Sequence, residues 1–319
     1  MENNELHLEK LVDKVTDKVT DRINDKVSNQ NVMAIIKKMH ATVEKVDIPK
    51  QRHMQDNYGV LLGASKDVEF EEIQIGDISA EWTRLRHSHR YQPVILYCHG
   101  GGYVAGSKKY ARSVISKLVE ATSMPTLSFD YRLAPEHPFP AAIEDVVSVW
   151  DYLTYQGYGA ENIIVAGDSA GGNLALELLL YIKSKQRILP KGLILLSPWT
   201  DMTNSGKSIK LRAEADPILC EAYLNNVIQL YADGQKLDSP ELSPLYADFG
   251  GFPPTYIQVG ENEVLLDDST RLYQRLLLHK VLTRMSIYEG MWHVFQMAPF
   301  KKSYLAIQEA AEFIFEICK

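Results

Sequence analysis

The chain has 319 residues, 45% of them hydrophobic and 24% charged, which is enough apolar material for a sizeable core and is the balance of an ordinary globular protein. A net charge of −7, with Lys and Arg spread along the sequence, excludes the basic face that a nucleic-acid partner requires. Three widely spaced cysteines exclude a disulfide framework; with an acidic N-terminus that lacks an apolar segment, and a longest apolar run (residues 174–182) that is short and contains Glu177, they predict a cytoplasmic protein with no membrane span.

The first residues differ from the rest. In LVDKVTDKVTDRINDKV, apolar residues recur at Leu11, Val15, Val19, Ile23 and Val27, with acidic and basic residues between them. A spacing of four gains about 40° per step on an α-helix, so the pattern predicts an amphipathic helix whose apolar stripe winds around its axis. A second apolar cluster follows at residues 32–39. Residues 1–60 therefore read as an N-terminal helical cap segment, packed on the main domain or paired with a second copy in a homodimer.

From residue 68 the pattern changes to short strands alternating with helices. VEFEEIQI (68–75) and ISAEWTRLR (78–86) alternate apolar and polar, as an antiparallel pair with one exposed face does. Continuous apolar runs follow at 93–98, 124–129, 162–167, 192–197 and 255–260, with one more strand at 284–290. Helical patterns lie at 108–122, 141–156, 170–185, 216–232, 267–280 and 301–317. Parallel strands buried on both faces by crossover helices produce this succession, so residues 61–319 predict one α/β domain. The longest break in the alternation, at about 199–248, reads as an insertion that contributes to a cap. In such sheets the chemistry sits in loops at the carboxyl ends of the strands.

One of those loops carries G-x-S-x-G, at Gly167, Ser169 and Gly171, between the run at 162–167 and a helix. A serine on a tight strand-to-helix turn is exposed at the sheet edge, which is the context that makes this pentapeptide a nucleophile site rather than an ordinary N-cap. A serine hydroxyl needs a base and a group to orient that base. His293, directly after the last strand, is the histidine placed for it; His7, His40, His53, His87, His89 and His279 read as solvated surface. Four carboxylates compete for the third role after the run at 255–260: Glu261, Glu263, Asp267 and Asp268. Glu263 is preferred, with Asp267 as the alternative, because the two aspartates precede a helix where capping and the dipole already explain them.

Three consecutive glycines, Gly100, Gly101 and Gly102, follow the run at 93–98, where glycine weakens a regular element unless bare backbone is needed. An oxyanion formed during attack on a carbonyl needs preorganised N–H donors. Ala170, after the serine, supplies one, and the glycines supply the others. A dinucleotide loop is the rival, but G-x-G-x-x-G is not met: Ala105 stands sixth from Gly100. Tyr103 is placed at the mouth of an acyl site, as a substrate-binding residue.

Taken together, His99-Gly100-Gly101-Gly102-Tyr103, the run from Asp130 to Glu136, the segment from Gly167 to Gly172, and His293-Val294-Phe295 resemble the hormone-sensitive-lipase-like α/β-hydrolases, in particular their bacterial type IV carboxylesterases, over about residues 60–319. The resemblance implies an eight-stranded, mostly parallel sheet with helices on both faces, a helical cap and hydrolysis of short- to medium-chain acyl esters, with no metal or cofactor. It also implies Glu263 as the acid, three positions after the turn glycine, and Gly101, Gly102 and Ala170 as the oxyanion donors. The chain departs from the usual pattern in its long charged N-terminal helix and in carrying Glu rather than Asp. A small-molecule ester is the expected partner. Sugar deacetylase, lactonase or amidase activity uses the same groups, whereas a ligand-binding receptor on this fold is disfavoured because His293 is present.

Overall fold

The computed structural model describes residues 48–62, 64–86 and 93–319. The amphipathic pattern at 11–27, the cluster at 32–39 and the homodimer contact expected of them lie outside the described residues. Five strands are buried at every position: β3 (Val94–Cys98), β4 (Thr126–Phe129), β5 (Ile163–Asp168), β6 (Gly192–Leu196) and β7 (Thr255–Gly260). That is the pattern of parallel strands covered on both faces. β1 (Val68–Ile75) and β2 (Ile78–Leu85) form the expected hairpin, and β8 (Thr283–Tyr288) closes the far edge. The order is β1-β2-β4-β3-β5-β6-β7-β8, with β2 antiparallel to both of its neighbours and all pairs from β4 to β8 parallel.

Successive side chains on a strand face opposite ways. Val94, Leu96 and Cys98 of β3 therefore join one core layer, with Val146, Trp150, Leu174 and Leu178 from α3 (Ala141–Tyr155) and α4 (Ala170–Ser184). Ile95 and Tyr97 join the other, with Val114 and Leu118 of α2 (Lys108–Thr122) and Ile307 and Phe313 of α8 (Lys301–Cys318). Among the described residues no helix is long and apolar enough to cross a membrane.

Two boundaries moved for identifiable reasons. β4 starts after Pro125, which has no N–H for a ladder. The helix expected from residue 216 begins at Glu221 as α6 (Glu221–Tyr231), because Asp216 Oδ1 accepts the N–H groups of Ile218 and Leu219 and holds a non-helical turn. α1 (Ile48–Leu62), which packs against α2, lies largely within the 1–60 segment read as helical, whereas the short α5 (Ser208–Leu211) was not anticipated. The stretch 199–248 has no separate core, since its Leu224, Val227, Tyr231, Leu242 and Leu245 join the layer beneath it. The remaining long helix, α7 (Leu266–Leu278), follows β7.

Candidate active site

Register brings the candidate residues together. Cys98 of β3 pairs with Gly167 of β5, so the glycine loop and the G-x-S-x-G turn leave the sheet side by side. At that turn Ser169 has φ 54° and ψ −120°, a conformation a residue with a side chain rarely adopts. A Cβ at Gly171 would overlap the Cys98 carbonyl oxygen, which is why the turn needs glycine there. Glu263 comes from the loop after β7 and His293 from the loop after β8, the two last strands in the parallel order.

These three side chains form one hydrogen-bonded line. Glu263 Oε2 lies 2.9 Å from His293 Nδ1, and His293 Nε2 lies 2.9 Å from Ser169 Oγ. An ionised carboxylate only accepts, so Nδ1 carries the ring proton and Nε2 is left to accept from the serine hydroxyl. All three are buried, Glu263 completely. Glu263 Oε1 is held in turn by Ser197 Oγ at 2.6 Å and by the Gly260 N–H at 2.5 Å. Ser197 Oγ also accepts the Val294 N–H at 3.1 Å, so one hydroxyl ties the acid to the loop of the base. Burial pulls the His293 imidazole down, but the hydrogen bond and charge of Glu263, followed by the charges of Asp216 and Asp168, more than offset this. The net pKa lies above the ordinary 6.5.

The other three carboxylates are occupied elsewhere. Glu261 Oε2 accepts the Gly290 N–H, Asp267 Oδ2 accepts the Ser208 N–H, and Asp268 Oδ2 accepts the N–H groups of Thr200 and Asp201. His137 is exposed, and His279 pairs with Asp248.

Beside the serine, Gly101 has φ 119° and Gly102 φ 64°. The N–H groups of Val104 and Ala105 both return to the Gly101 carbonyl, closing a tight turn. Gly100 N–H donates to Asp168 Oδ1 at 3.0 Å, the Tyr131 hydroxyl donates to the His99 carbonyl at 2.8 Å, and Ala134 N–H donates to the Tyr103 carbonyl at 2.9 Å. Among the described residues no hydrogen bond uses the N–H groups of Gly101, Gly102 or Ala170. Ala170 opens α4, where a helix presents unsatisfied donors and the positive end of its dipole.

The sequence profile of the family described as alpha/beta hydrolase fold matches residues 95–297. The chain belongs to that family. This hydrolase is 36% identical over 265 residues to an esterase from Acinetobacter venetianus, covering 82% of this chain and 87% of that one. It is also 36% identical over 223 residues to an acetyl-hydrolase from Streptomyces hygroscopicus, covering 70% and 74% of the two chains. The crystal structure of an esterase from the bacterial hormone-sensitive lipase family superposes with a TM-score of 0.86 at 32% identity, covering 91% of this chain and 98% of that one. The hydrolase is thus a member of the hormone-sensitive-lipase esterases and a carboxylic ester hydrolase.

One expected site residue is placed differently. Tyr103 does not stand at the mouth of an acyl site: it is completely buried, its ring stacks on Tyr231 at 3.8 Å, and its hydroxyl donates to Asn173 Oδ1 at 2.8 Å. With φ 62° at this residue, the side chain sits behind the glycine loop as packing. Conversely, the candidate site contains residues that sequence reasoning passed over. Ser197 and Asp168 both stand at carboxyl ends of buried strands, a position that signals a site. Asp216 reaches from the 199–248 stretch and accepts the Val264 N–H at 2.9 Å, next to Glu263; burial pushes its carboxyl up to about 6. Burial likewise raises Asp168 to about 6.

Gly101→Ala tests the glycine loop. The added Cβ would overlap the Ala105 carbonyl oxygen, and the backbone angle disfavours any side chain, so the turn must open. The expected loss in kcat is about 10²–10³-fold, as for removal of one oxyanion donor, with an unchanged circular dichroism spectrum. Parent-like kcat in a folded Gly101→Ala protein contradicts this use of the loop.

Proposed function

We propose that this hydrolase cleaves short- to medium-chain acyl esters by a Ser169–His293–Glu263 triad through an acyl-enzyme. The carrying observation is the pair of 2.9 Å contacts that link Ser169 Oγ to His293 and His293 to Glu263. Ser169 Oγ bonds to the ester carbonyl carbon while its proton passes to His293 Nε2, and Glu263 stabilises the imidazolium. The carbonyl oxygen becomes an oxyanion that takes the N–H groups of Gly101, Gly102 and Ala170. The tetrahedral species collapses, the C–O bond to the alcohol breaks, and the alcohol leaves with the proton from His293. Water then gives a proton to His293, attacks the acyl-serine and releases the acid, restoring Ser169. The raised basicity of His293 favours holding that proton in each tetrahedral stage.

The relative named as an acetyl-hydrolase supports a small acyl group. The 199–248 stretch, with α1, acts as the cap that admits it. A panel of p-nitrophenyl acetate, butyrate and octanoate beside the matched anilides tests the reading. The acetate and butyrate should give the highest kcat/KM and the anilides little turnover. Comparable anilide hydrolysis, or a preference for a long-chain palmitate added to the panel over all three esters, contradicts it.

A further inference from the structure

Arg52 lies on α1, remote in sequence from the glycine loop, and three sets of acceptors converge on its guanidinium. Nε donates to the Val104 carbonyl at 2.7 Å, Nη2 donates to the Ala134 carbonyl at 2.8 Å, and the Glu136 carboxylate accepts from Nη1 and Nη2 at 3.0 and 2.6 Å. Val104 and Ala134 belong to the two segments that meet at the oxyanion turn, where Ala134 N–H donates to the Tyr103 carbonyl. One planar fork therefore spans the seam between the glycine loop and the loop after β4.

The peptide connectivity gives that contact a consequence. The Val104 carbonyl shares its peptide unit with the Ala105 N–H, and the Ala105 N–H donates to the Gly101 carbonyl at 3.0 Å. The Gly101 carbonyl in turn shares its peptide unit with the Gly102 N–H. A guanidinium hydrogen bond at one end thus continues through two peptide groups to an oxyanion donor at the other. Chains of hydrogen bonds polarise one another, and a fixed cation at the head makes the last N–H a better donor. The same chain fixes the direction of that N–H, which preorganisation requires. Lysine cannot replace this fork, since an ammonium lacks the planar geometry that serves two carbonyls and a carboxylate together.

We infer that Arg52 is a positioning residue for ester hydrolysis, which orients and polarises the Gly102 N–H through the peptide relay Val104–Ala105 and Gly101–Gly102. This rests on the proposed oxyanion role of Gly102. Ion pairing with Glu136 is secondary: that carboxylate is half exposed, and exposed pairs contribute little.

The test compares Arg52→Gln, Arg52→Lys, Glu136→Gln and Gly101→Ala in the full chain, with rates normalised to active sites titrated by a phosphonate ester. Arg52→Gln and Arg52→Lys should lower kcat for p-nitrophenyl butyrate about 10- to 100-fold with little change in KM, the scale of a small misplacement of a reacting group. Affinity for a trifluoromethyl ketone, which forms the tetrahedral oxyanion on the serine, should fall by a similar factor. Millimolar guanidinium should restore kcat of Arg52→Gln, a rescue that a merely structural role would not show. Glu136→Gln should stay near the parent. Parent-like kcat and ketone affinity per titrated site in Arg52→Gln overturns the relay, as does an equal loss in Glu136→Gln or the absence of guanidinium rescue. A parent-like Arg52→Gln beside a Gly101→Ala protein that loses kcat sinks this inference alone, whereas a parent-like Gly101→Ala removes the oxyanion reading beneath it.

Discussion

Ser169→Ala should lose about a millionfold in kcat while remaining folded, the size of loss seen when a serine hydrolase is stripped of its nucleophile. Alanine keeps the Cβ, so it occupies the φ 54° turn with the same backbone strain as serine and leaves the flanking glycine contacts as they are. The backbone bonds that hold the turn do not involve the hydroxyl: Ser169 N–H donates to the Leu196 carbonyl at 3.0 Å, and the Ser169 carbonyl accepts from Trp199 at 3.0 Å. What disappears is Oγ and its bond to His293 Nε2. His293 remains paired to Glu263 and becomes a base with no serine proton to take. Residual turnover comes from donors that still bind an oxyanion, at a rate limited by unassisted water. Kinetics with p-nitrophenyl acetate, alongside thermal melting, check this. Turnover within about tenfold of the parent would move the nucleophile to another residue.

The strands were legible because each central one is a continuous apolar run, and burial on both faces leaves no other pattern. The serine was legible because it follows such a run directly, and the histidine because it lies in the loop after the last strand, both at the edge where this class of sheet places its chemistry. The acid was only partly legible. Four carboxylates share a short loop, and what separates them is which backbone donors each one meets. Ser197 stood at a strand end that signals a site, but Asp216 and Arg52 were not legible, since their partners lie far along the chain and no local periodicity encodes those pairings. Tyr103 was misread for a related reason. Its place after the glycines suggested a substrate contact, but a positive φ turns the side chain into the aromatic stack with Tyr231. Sequence pattern reports on periodic burial; it is silent on irregular loops, where the backbone angles decide direction.

Glu263→Gln should lower kcat by about 10⁴-fold, the loss found when the orienting carboxylate of a serine triad becomes an amide. The cause is a forced tautomer. At Glu263 Oε1 two donors converge, the Ser197 hydroxyl and the Gly260 N–H, so a glutamine must place its carbonyl there. Its amide NH₂ then faces His293 Nδ1, where Oε2 stood. Nδ1 must accept rather than donate, which moves the ring proton to Nε2, opposite Ser169 Oγ. An Nε2 that already holds a proton cannot take one from the serine. The reversed amide is no escape, because it sets NH₂ against two donors in a completely buried site, at about 1–3 kcal/mol for each group left unsatisfied. Asp267→Asn is the control. The Asp267 carboxylate accepts the Ser208 N–H, and among the described residues no hydrogen bond joins it to His293, so its amide should leave kcat close to the parent's. Two measurements decide between these carboxylates: kcat for p-nitrophenyl acetate, and the downfield proton resonance of Nδ1–H, which Glu263→Gln should abolish and Asp267→Asn should keep. The reverse pattern would assign the orienting role to Asp267.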